Sequence, residues 1–283
     1  FSMVPMNLSL PNRSIDAVNT GIWTKKAIAE FKKISEVRTI ATDEPNNFTS
    51  IPNLGSLDIN NDASYFYIAS NNTIFGTQYH QFPATGDVPL VADMSSDIFC
   101  RQLDVNQFGL IFAGAQKNIG PSGVTLVIVR KDLCDRCPDS VPSVMQYRNQ
   151  IKSTSMFNTP PTFGIYMVSL VMDWIQSEGG LAVIEQRNKQ KSQLLYDFIE
   201  NDSFYYCPVA ENSRSMMNVV FRISGDNEAL EKTFVKEANE AGLSGLKGHR
   251  SVGGLRASIY NAQPEGSIKA LVDFMASFQR KHK

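Results

Sequence analysis

The feature that most constrains the fold is a series of short, almost uninterrupted apolar runs. They occupy residues 65–69, 88–92, 110–113 and 124–129, and loops or helix-like segments separate them. Near-continuous apolar strands of this length are typical of a parallel sheet that helices cover on both faces. The sequence therefore predicts an α/β fold with a large, mostly parallel sheet.

Helix-like periodicity follows these runs. Thr24 precedes apolar residues spaced through Ile34, which predicts an amphipathic helix with Thr24 as its N-cap. Residues 163–174 are apolar on nearly every side, which predicts a buried helix. Residues 181–199 have one apolar face, and we expect a long helix there that links two domains.

The pattern changes after about residue 201. A strand is predicted at 217–222, a helix at 229–241, a strand at 255–260 and then a terminal helix. This succession indicates a smaller α+β unit packed against the large sheet. We therefore expect a large domain over 1–195 and a small C-terminal domain over 196–283.

Charge and cysteine content exclude several classes of function. The chain has 27 basic and 28 acidic residues without a long run of either sign, so we expect neither nucleic acid nor a membrane as partner. No stretch approaches the roughly 18 apolar residues that would span a bilayer. No signal peptide is visible, so a cytoplasmic location is expected. Cys134 and Cys137 have no second ligand pair at metal spacing, which favours a reduced surface loop and no metal site.

One lysine stands out by its position. Lys117 lies between the runs 110–113 and 124–129, just before the turn-forming residues 118–123. Partial burial would lower the pKa of its amine and make it a candidate to form a Schiff base with a carbonyl compound. A surface lysine at a strand end fits the same spacing, and the spacing alone favours that interpretation.

The segment around this lysine, residues 111–123, resembles the cofactor-lysine signature of the phosphoserine aminotransferase family, class V enzymes that use pyridoxal phosphate (PLP). Five further blocks resemble the family in its order and approximate spacing: 20–23, 72–76, 92–96, 157–161 and 247–258. The resemblance covers nearly the whole chain. It implies the type I fold of PLP-dependent transferases. Family members have a further N-terminal stretch, including a glycine-rich turn that helps to hold the PLP phosphate, and the matching region of this sequence starts after that turn.

The resemblance implies a set of cofactor contacts. Lys117 would carry PLP, Trp23 would stack on its pyridine ring, and Thr73 would hydrogen-bond its phenolic oxygen. Gln116 would bind its phosphate. Asp93, at the end of the run 88–92, would keep the pyridine nitrogen protonated. From the residues alone, Asp93 fits equally well as a cap of the following turn, and Trp23 fits better in the core.

Asn158 and Thr159 stand before two prolines, which hold the chain extended. On their own they fit a turn that leads into the helix at 163–174. The resemblance implies that the pair reaches the PLP phosphate of a neighbouring subunit. It therefore implies a homodimer with shared active sites.

His249, Arg250 and Arg256 form a cationic cluster in a glycine-rich segment. Arginine binds carboxylate and phosphate through two parallel hydrogen bonds, so the cluster suits a small polyanion. The resemblance assigns Arg256 to the substrate α-carboxylate. It assigns His249 and Arg250 to the distal phosphate or carboxylate.

The activity that the resemblance implies is amino-group transfer between glutamate and 3-phosphohydroxypyruvate, which gives O-phosphoserine and 2-oxoglutarate in serine biosynthesis. A cysteine desulfurase would need a catalytic cysteine on a mobile loop and a histidine in place of Trp23, and neither is evident. The alternative is a truncated, PLP-deficient form without catalysis that keeps the fold and the dimer interface. Residue content does not separate it from the enzyme, because every matched position is intact.

Overall fold

Strands and helices alternate along the first 130 residues, as the apolar runs predict. The computed structural model of the chain describes residues 1–201 and 203–283. The strands are β1 Ile15–Asn19, β2 Val37–Thr42, β3 Phe66–Ala69, β4 Asn71–Asn72, β5 Thr77–Gln78, β6 Leu90–Asp93, β7 Leu110–Gly114, β8 Thr125–Val129, β9 Tyr205–Tyr206, β10 Asn218–Ile223 and β11 Leu255–Ser258. The helices are α1 Met3–Leu8, α2 Ile22–Phe31, α3 Tyr147–Lys152, α4 Thr162–Ser177, α5 Gly180–Glu200, α6 Glu228–Glu240 and α7 Glu265–His282.

The large sheet has six strands in the order β2-β1-β3-β6-β7-β8. All neighbouring pairs are parallel except β7 and β8, which pair antiparallel at one edge. The strands β1, β3 and β6 are buried along their whole length, as expected for a sheet covered on both faces. The predicted mostly parallel α/β fold is confirmed.

Two strands of this sheet, β1 and β2, were not predicted. The apolar pattern did not predict β1 because Asp16 interrupts the apolar run. The Asp16 carboxylate is nevertheless fully buried. Asp16 accepts the N–H of Asn60 at 2.7 Å and lies 3.7 Å from the guanidinium of Arg38 on β2. A buried charge of this kind is tolerated because it is paired and hydrogen-bonded.

The start and end of α2 differ from the prediction. The helix begins after Gly21, and Thr24 lies inside its first turn, so Thr24 is not the N-cap. Its hydroxyl oxygen accepts the backbone N–H groups of Thr20 and Gly21 at 2.9 and 3.0 Å. The helix ends at Phe31, and Ile34 lies beyond it with an exposed side chain.

The helix α4 is present, but the prediction that it is buried is wrong. Ile175 is its one buried residue, whereas Phe163 and Tyr166 are 74% and 58% exposed. One side of α4 packs closely against the turn between β7 and β8. A Cβ atom on Gly120 in that turn would lie only 2.8 Å from the side chain of Val168 on α4. The other side leaves an apolar surface uncovered in the single chain.

The Cys134–Cys137 segment is not the surface loop that was predicted. Both side chains are buried, and all four cysteines of the chain are free. Cys134 donates its S–H to the carbonyl of Arg130, and Cys137 donates to the carbonyl of Met6 on α1. Burial raises the pKa of both thiols, which disfavours the reactive thiolate.

The C-terminal part is built on a three-stranded antiparallel sheet in the order β11-β10-β9. Its core joins the sheet to α6, α7 and the end of α5, including Leu195 and Phe234. Because α5 runs unbroken past residue 195, it belongs to both parts of the chain. The division into 1–195 and 196–283 stays a prediction. Within residues 1–201 and 203–283, no helix is both long enough and apolar enough to cross a bilayer.

Candidate active site

The candidate site lies at the edge of the large sheet where the parallel strands end. β6 ends at Asp93, which pairs with Phe112 near the end of β7. β1 leads directly into α2, whose second residue is Trp23. Since parallel strands present their carboxyl ends at one edge, this topology gathers side chains from distant parts of the sequence.

Asp93 is buried and hydrogen-bonded by the turn that follows it. Its Oδ1 accepts the N–H of Ser95 at 2.9 Å and the Ser95 hydroxyl at 2.6 Å. The same hydroxyl oxygen accepts the N–H of Gly114 at 3.0 Å, which joins the ends of β6 and β7. Burial raises the pKa of Asp93, and the Ser95 hydrogen bonds and the charge of Lys117 oppose that rise. Asp93 thus caps its turn and also lies close enough to Lys117 to interact with its charge.

Lys117 lies in the turn between β7 and β8, and its Nζ donates to the Thr73 hydroxyl at 2.5 Å. Burial lowers the pKa of the amine and the charge of Arg256 lowers it further, whereas Asp93 and Asp97 act in the opposite direction. Lowering the pKa increases the fraction of free amine, which is the nucleophilic form.

Arg256, on β11, reaches the Thr73 turn from the C-terminal part of the chain. Its guanidinium Nη1 donates to the carbonyl of Thr73 at 3.1 Å. Its Nε is buried and has no hydrogen-bond partner within residues 1–201 and 203–283. A buried donor without a partner costs free energy, so this face of the arginine is suited to an incoming anion.

His249 and Arg250 lie on the glycine-rich loop before β11. The carbonyl of His249 accepts the N–H groups of Val252 and Gly253 at 2.9 Å, and its Nδ1 lies 2.7 Å from the Ser251 hydroxyl. The pKa of His249 is lowered by burial and by the positive charges of Arg256, Arg250 and Lys26. The structure therefore brings His249, Arg250 and Arg256 together.

The loop depends on Gly248. A Cβ atom there would lie 2.0 Å from the carbonyl oxygen of Gly253, so a larger residue would force the loop open. Glycine at this position allows the close backbone approach that puts His249 and Arg250 beside Arg256.

Trp23 is 39% exposed at the sheet edge. The ammonium of Lys26 lies 4.7 Å from the centre of its ring, a cation–π contact. Gln116 is exposed, and its amide lies over the end of β7, since a Cβ atom on Gly114 would be 2.7 Å from its Oε1.

Asn158 and Thr159 are not brought to this edge by hydrogen bonds. Both are exposed before α4, and Asn158 donates its Nδ2 to the carbonyl of Thr159 at 3.3 Å. In the described part of the chain, neither side chain bonds to a residue around Lys117.

Sequence reasoning missed two side chains near the site. Lys26 adds a further positive charge beside His249, but one of two adjacent lysines on a helix gives no signal by itself. Tyr260 accepts a hydrogen bond from Asn218 at 3.1 Å and lies beside the side chains of Thr73 and Ser258. Its position follows from the pairing of β10 and β11, which spacing in the sequence does not reveal.

Comparison with known proteins identifies the class to which this arrangement belongs. The family model described as Aminotransferase class-V matches residues 1–271. The phosphoserine aminotransferase of Geobacillus kaustophilus is 53% identical over 282 residues, covering 99% of this chain and 78% of that protein. That of Shouchella clausii is 52% identical and covers 100% of this chain and 76% of that protein.

Solved structures agree with the sequence comparison. Phosphoserine aminotransferase from Bacillus circulans subsp. alkalophilus superposes with a TM-score of 0.97 at 48% identity, covering 100% of this chain and 78% of that one. The PLP-bound enzyme from Trichomonas vaginalis gives a TM-score of 0.91 at 37% identity, with 97% and 78% covered. The chain is a class V aminotransferase by its sequence and fold, and it belongs to the phosphoserine aminotransferase family. The resemblance and the type I transferase fold predicted from the motifs are confirmed.

The first prediction concerns the charge balance at Lys117. Asp93→Asn removes the nearby negative charge that raises the amine's pKa, so the pKa of Lys117 should fall further. The pH dependence of Lys117 acylation in the cofactor-free protein, read by mass spectrometry, measures it. Asp132→Asn, at an exposed carboxylate paired with Arg130, is the control and should leave the midpoint unchanged. An unchanged midpoint in Asp93→Asn would contradict the assignment.

Proposed function

We propose that the protein is a PLP-dependent phosphoserine aminotransferase. It transfers an amino group between glutamate and 3-phosphohydroxypyruvate, giving O-phosphoserine and 2-oxoglutarate in serine biosynthesis. The observation that carries the proposal is the convergence of Lys117, Asp93 and Arg256 at one sheet edge, in a chain that matches phosphoserine aminotransferases over its full length. That match does not favour the alternative of a truncated, PLP-deficient form without catalysis.

The residues at the sheet edge fit PLP. Lys117 offers a partly buried amine for the aldehyde carbon, and Trp23 offers an exposed aromatic face for the ring. Asp93 would hold a proton on the pyridine nitrogen. Thr73 would donate to the phenolic oxygen and Gln116 would bind the phosphate. When bound, PLP supplies an electron-withdrawing ring that makes the α-proton of an amino acid removable.

Lys117 has a second role in the proposal. Because its pKa is lowered, a larger fraction of the amine is free to accept a proton, and the neighbouring Asp93 stabilises the ammonium that results. Thr73 fixes the direction of Nζ through the 2.5 Å hydrogen bond. The lysine can therefore take the proton from the substrate's α-carbon, and with PLP bound it would deliver that proton to the C4′ carbon of the cofactor.

The cationic cluster of His249, Arg250 and Arg256 supports the proposed substrate class. Arg256 is anchored to Thr73, beside the lysine, so it would bind the α-carboxylate of every substrate. His249 and Arg250 lie on the loop and would bind the distal phosphate or carboxylate. A substrate with anionic groups at both ends, such as phosphoserine or glutamate, satisfies both positions.

The homodimer is also part of the proposal. The outer side of α4 exposes Phe163, Ile165, Tyr166 and Leu170, a larger apolar set than the scattered single residues of an ordinary surface. Asn158 and Thr159 precede this helix and, in the described part of the chain, make no hydrogen bond to the residues around Lys117. A partner chain on α4 would receive them, which supports shared active sites.

A cytoplasmic location is proposed as well. The four free cysteines fit a reducing compartment, where disulfides are rare.

The second prediction tests cofactor attachment. Addition of PLP, borohydride reduction and peptide mapping should place the pyridoxyl group on Lys117. Lys117→Ala should remove both the label and turnover, because it removes the attachment point and the proton carrier. A pyridoxyl group on Lys25, Lys26 or Lys247 would overturn the assignment.

The third prediction tests substrate recognition. Arg256→Ala should lower kcat/KM for all amino acid substrates alike, because it leaves a carboxylate unpaired. The expected factor corresponds to a loss of about 2–5 kcal/mol of interaction free energy. Arg250→Ala should weaken phosphoserine and glutamate more than alanine. Arg130→Ala removes an exposed arginine paired with Asp132 and serves as control. If the unchanged protein used alanine and phosphoserine equally well, the assignment of phosphoserine as substrate would be wrong.

The fourth prediction tests the shared site. Lys117→Ala subunits are mixed with Asn158→Ala/Thr159→Ala subunits, and heterodimers are isolated by two different tags. If the partner completes each site, one site of the heterodimer carries both defects and the other carries neither, so activity should return to about half. Isolated heterodimers with no recovered activity would refute the shared site.

A further inference from the structure

Three buried asparagines hold three consecutive backbone carbonyls beside the candidate site. Asn118, Asn261 and Asn188 donate their Nδ2 to the carbonyl oxygens of residues 98, 99 and 100, in that order, at 3.0, 2.9 and 2.9 Å. The three come from the lysine turn, the segment after β11 and the helix α5. We call them the asparagine cluster.

The members of the cluster also bond to one another. The backbone N–H of Asn261 donates to Asn118 Oδ1 at 3.1 Å, and Asn188 donates to Asn261 Oδ1 at 2.8 Å. All three side chains are buried. Because a buried amide that loses its partner is costly, these bonds fix the cluster in one arrangement.

The carbonyls that the cluster holds belong to a strained turn. Phe99 has φ 56°, in the left-handed region that bulky residues rarely adopt. The turn follows Asp93 closely, and the N–H of Ile98 donates to the carbonyl of Met94 at 2.8 Å. External hydrogen bonds of the kind that the cluster supplies are what allow such a conformation to persist.

The cluster is joined to the reactive lysine by the peptide chain itself. Asn118 follows Lys117, and the N–H groups of Ile119 and Gly120 donate to the carbonyl of Ala115 at 3.2 and 2.9 Å. A pinned Asn118 side chain therefore fixes the backbone from which the Lys117 side chain extends.

Asn261 brings the strand β11 into the same arrangement. It lies three residues after the end of β11, which carries Arg256. The segment between β11 and Asn261 is also fixed by the buried Lys191 on α5. Its Nζ donates to the carbonyls of Ile259 and Tyr260 at 3.0 and 2.8 Å. The cluster thus connects three parts of the site: the turn that carries Lys117, the turn after Asp93, and the chain that follows β11 with its Arg256.

We propose that Asn118 and Asn261 are positioning residues that set the place of Lys117 Nζ relative to Thr73 and Asp93. They act through the backbone, and Lys117 remains the catalytic residue. The inference rests on the proposed function for its activity readout. Displacements of about 1 Å in a reacting group are enough to slow an enzyme by roughly 100-fold, so the positioning has a measurable effect.

The test uses Asn118→Ala and Asn261→Ala in the PLP-loaded protein. We expect kcat to fall by about 10- to 100-fold while PLP content stays the same and KM for glutamate changes less than about threefold. In the cofactor-free protein, the pH midpoint of Lys117 acylation should rise toward that of an ordinary lysine, because the amine leaves its buried position. Asn118→Ser and Asn261→Ser replace either alanine variant that fails to fold.

The matched control is Asn7→Ala. Asn7 is also buried, donates to the carbonyls of Met3 and Met145 at 2.8 Å and accepts the N–H of Tyr147 at 2.8 Å, away from the cluster. It should lower the melting temperature by a similar amount and leave kcat within about twofold and the midpoint unchanged.

Two results would overturn the inference. One is an unchanged kcat and an unchanged pH midpoint of Lys117 acylation in both cluster variants. The other is an equal loss of kcat in Asn7→Ala. If borohydride does not label Lys117 in the unchanged protein, the proposed function fails. The acylation midpoints then still decide whether the cluster positions the lysine.

Discussion

The site depends on the parallel pairing of β6 and β7, because this register sets where Asp93 and the lysine turn lie. Ser95 makes the pairing specific at the strand ends: one hydroxyl bonds both the Asp93 carboxylate and the N–H of Gly114. From there the chain leaves β7 and turns once before Lys117. The position of the lysine, including its 2.5 Å bond to Thr73, follows from that starting point.

The fold could be predicted where local pattern decides structure. The continuous apolar runs found β3, β6 and β7, because strands buried within a covered sheet are marked by apolar side chains on both faces. They also found β8, a less buried strand at the edge of the sheet. β1 was missed because its buried Asp16 is paired with partners distant in sequence. The exposure of α4 was missed for a different reason. An apolar helix must be covered, but sequence does not say whether its own chain or another chain covers it.

The candidate site was predictable only in part. Glycines and prolines around Lys117 and His249 mark the turns, and resemblance to a family supplied the proposed roles. The contact between Arg256 and Thr73 joins residues 183 positions apart, so spacing gives no sign of it. The asparagine cluster was not predicted for the same reason. In the sequence, an asparagine that bonds a distant carbonyl cannot be distinguished from an asparagine in an ordinary turn. Such long-range contacts decide the placement of a side chain whose identity the sequence already shows.

The position of Arg256, held at Thr73 close to Lys117, also has a thermodynamic consequence. The charge of Arg256 lowers the pKa of Lys117, so an anion that neutralises the arginine must make the lysine more basic. Anion binding and proton uptake are therefore linked, and linkage is reciprocal: protonating the lysine tightens the binding of the anion by the same factor. A carboxylate bound at Arg256 would in this way favour proton uptake by the amine of Lys117, and the guanidinium group would couple the two events.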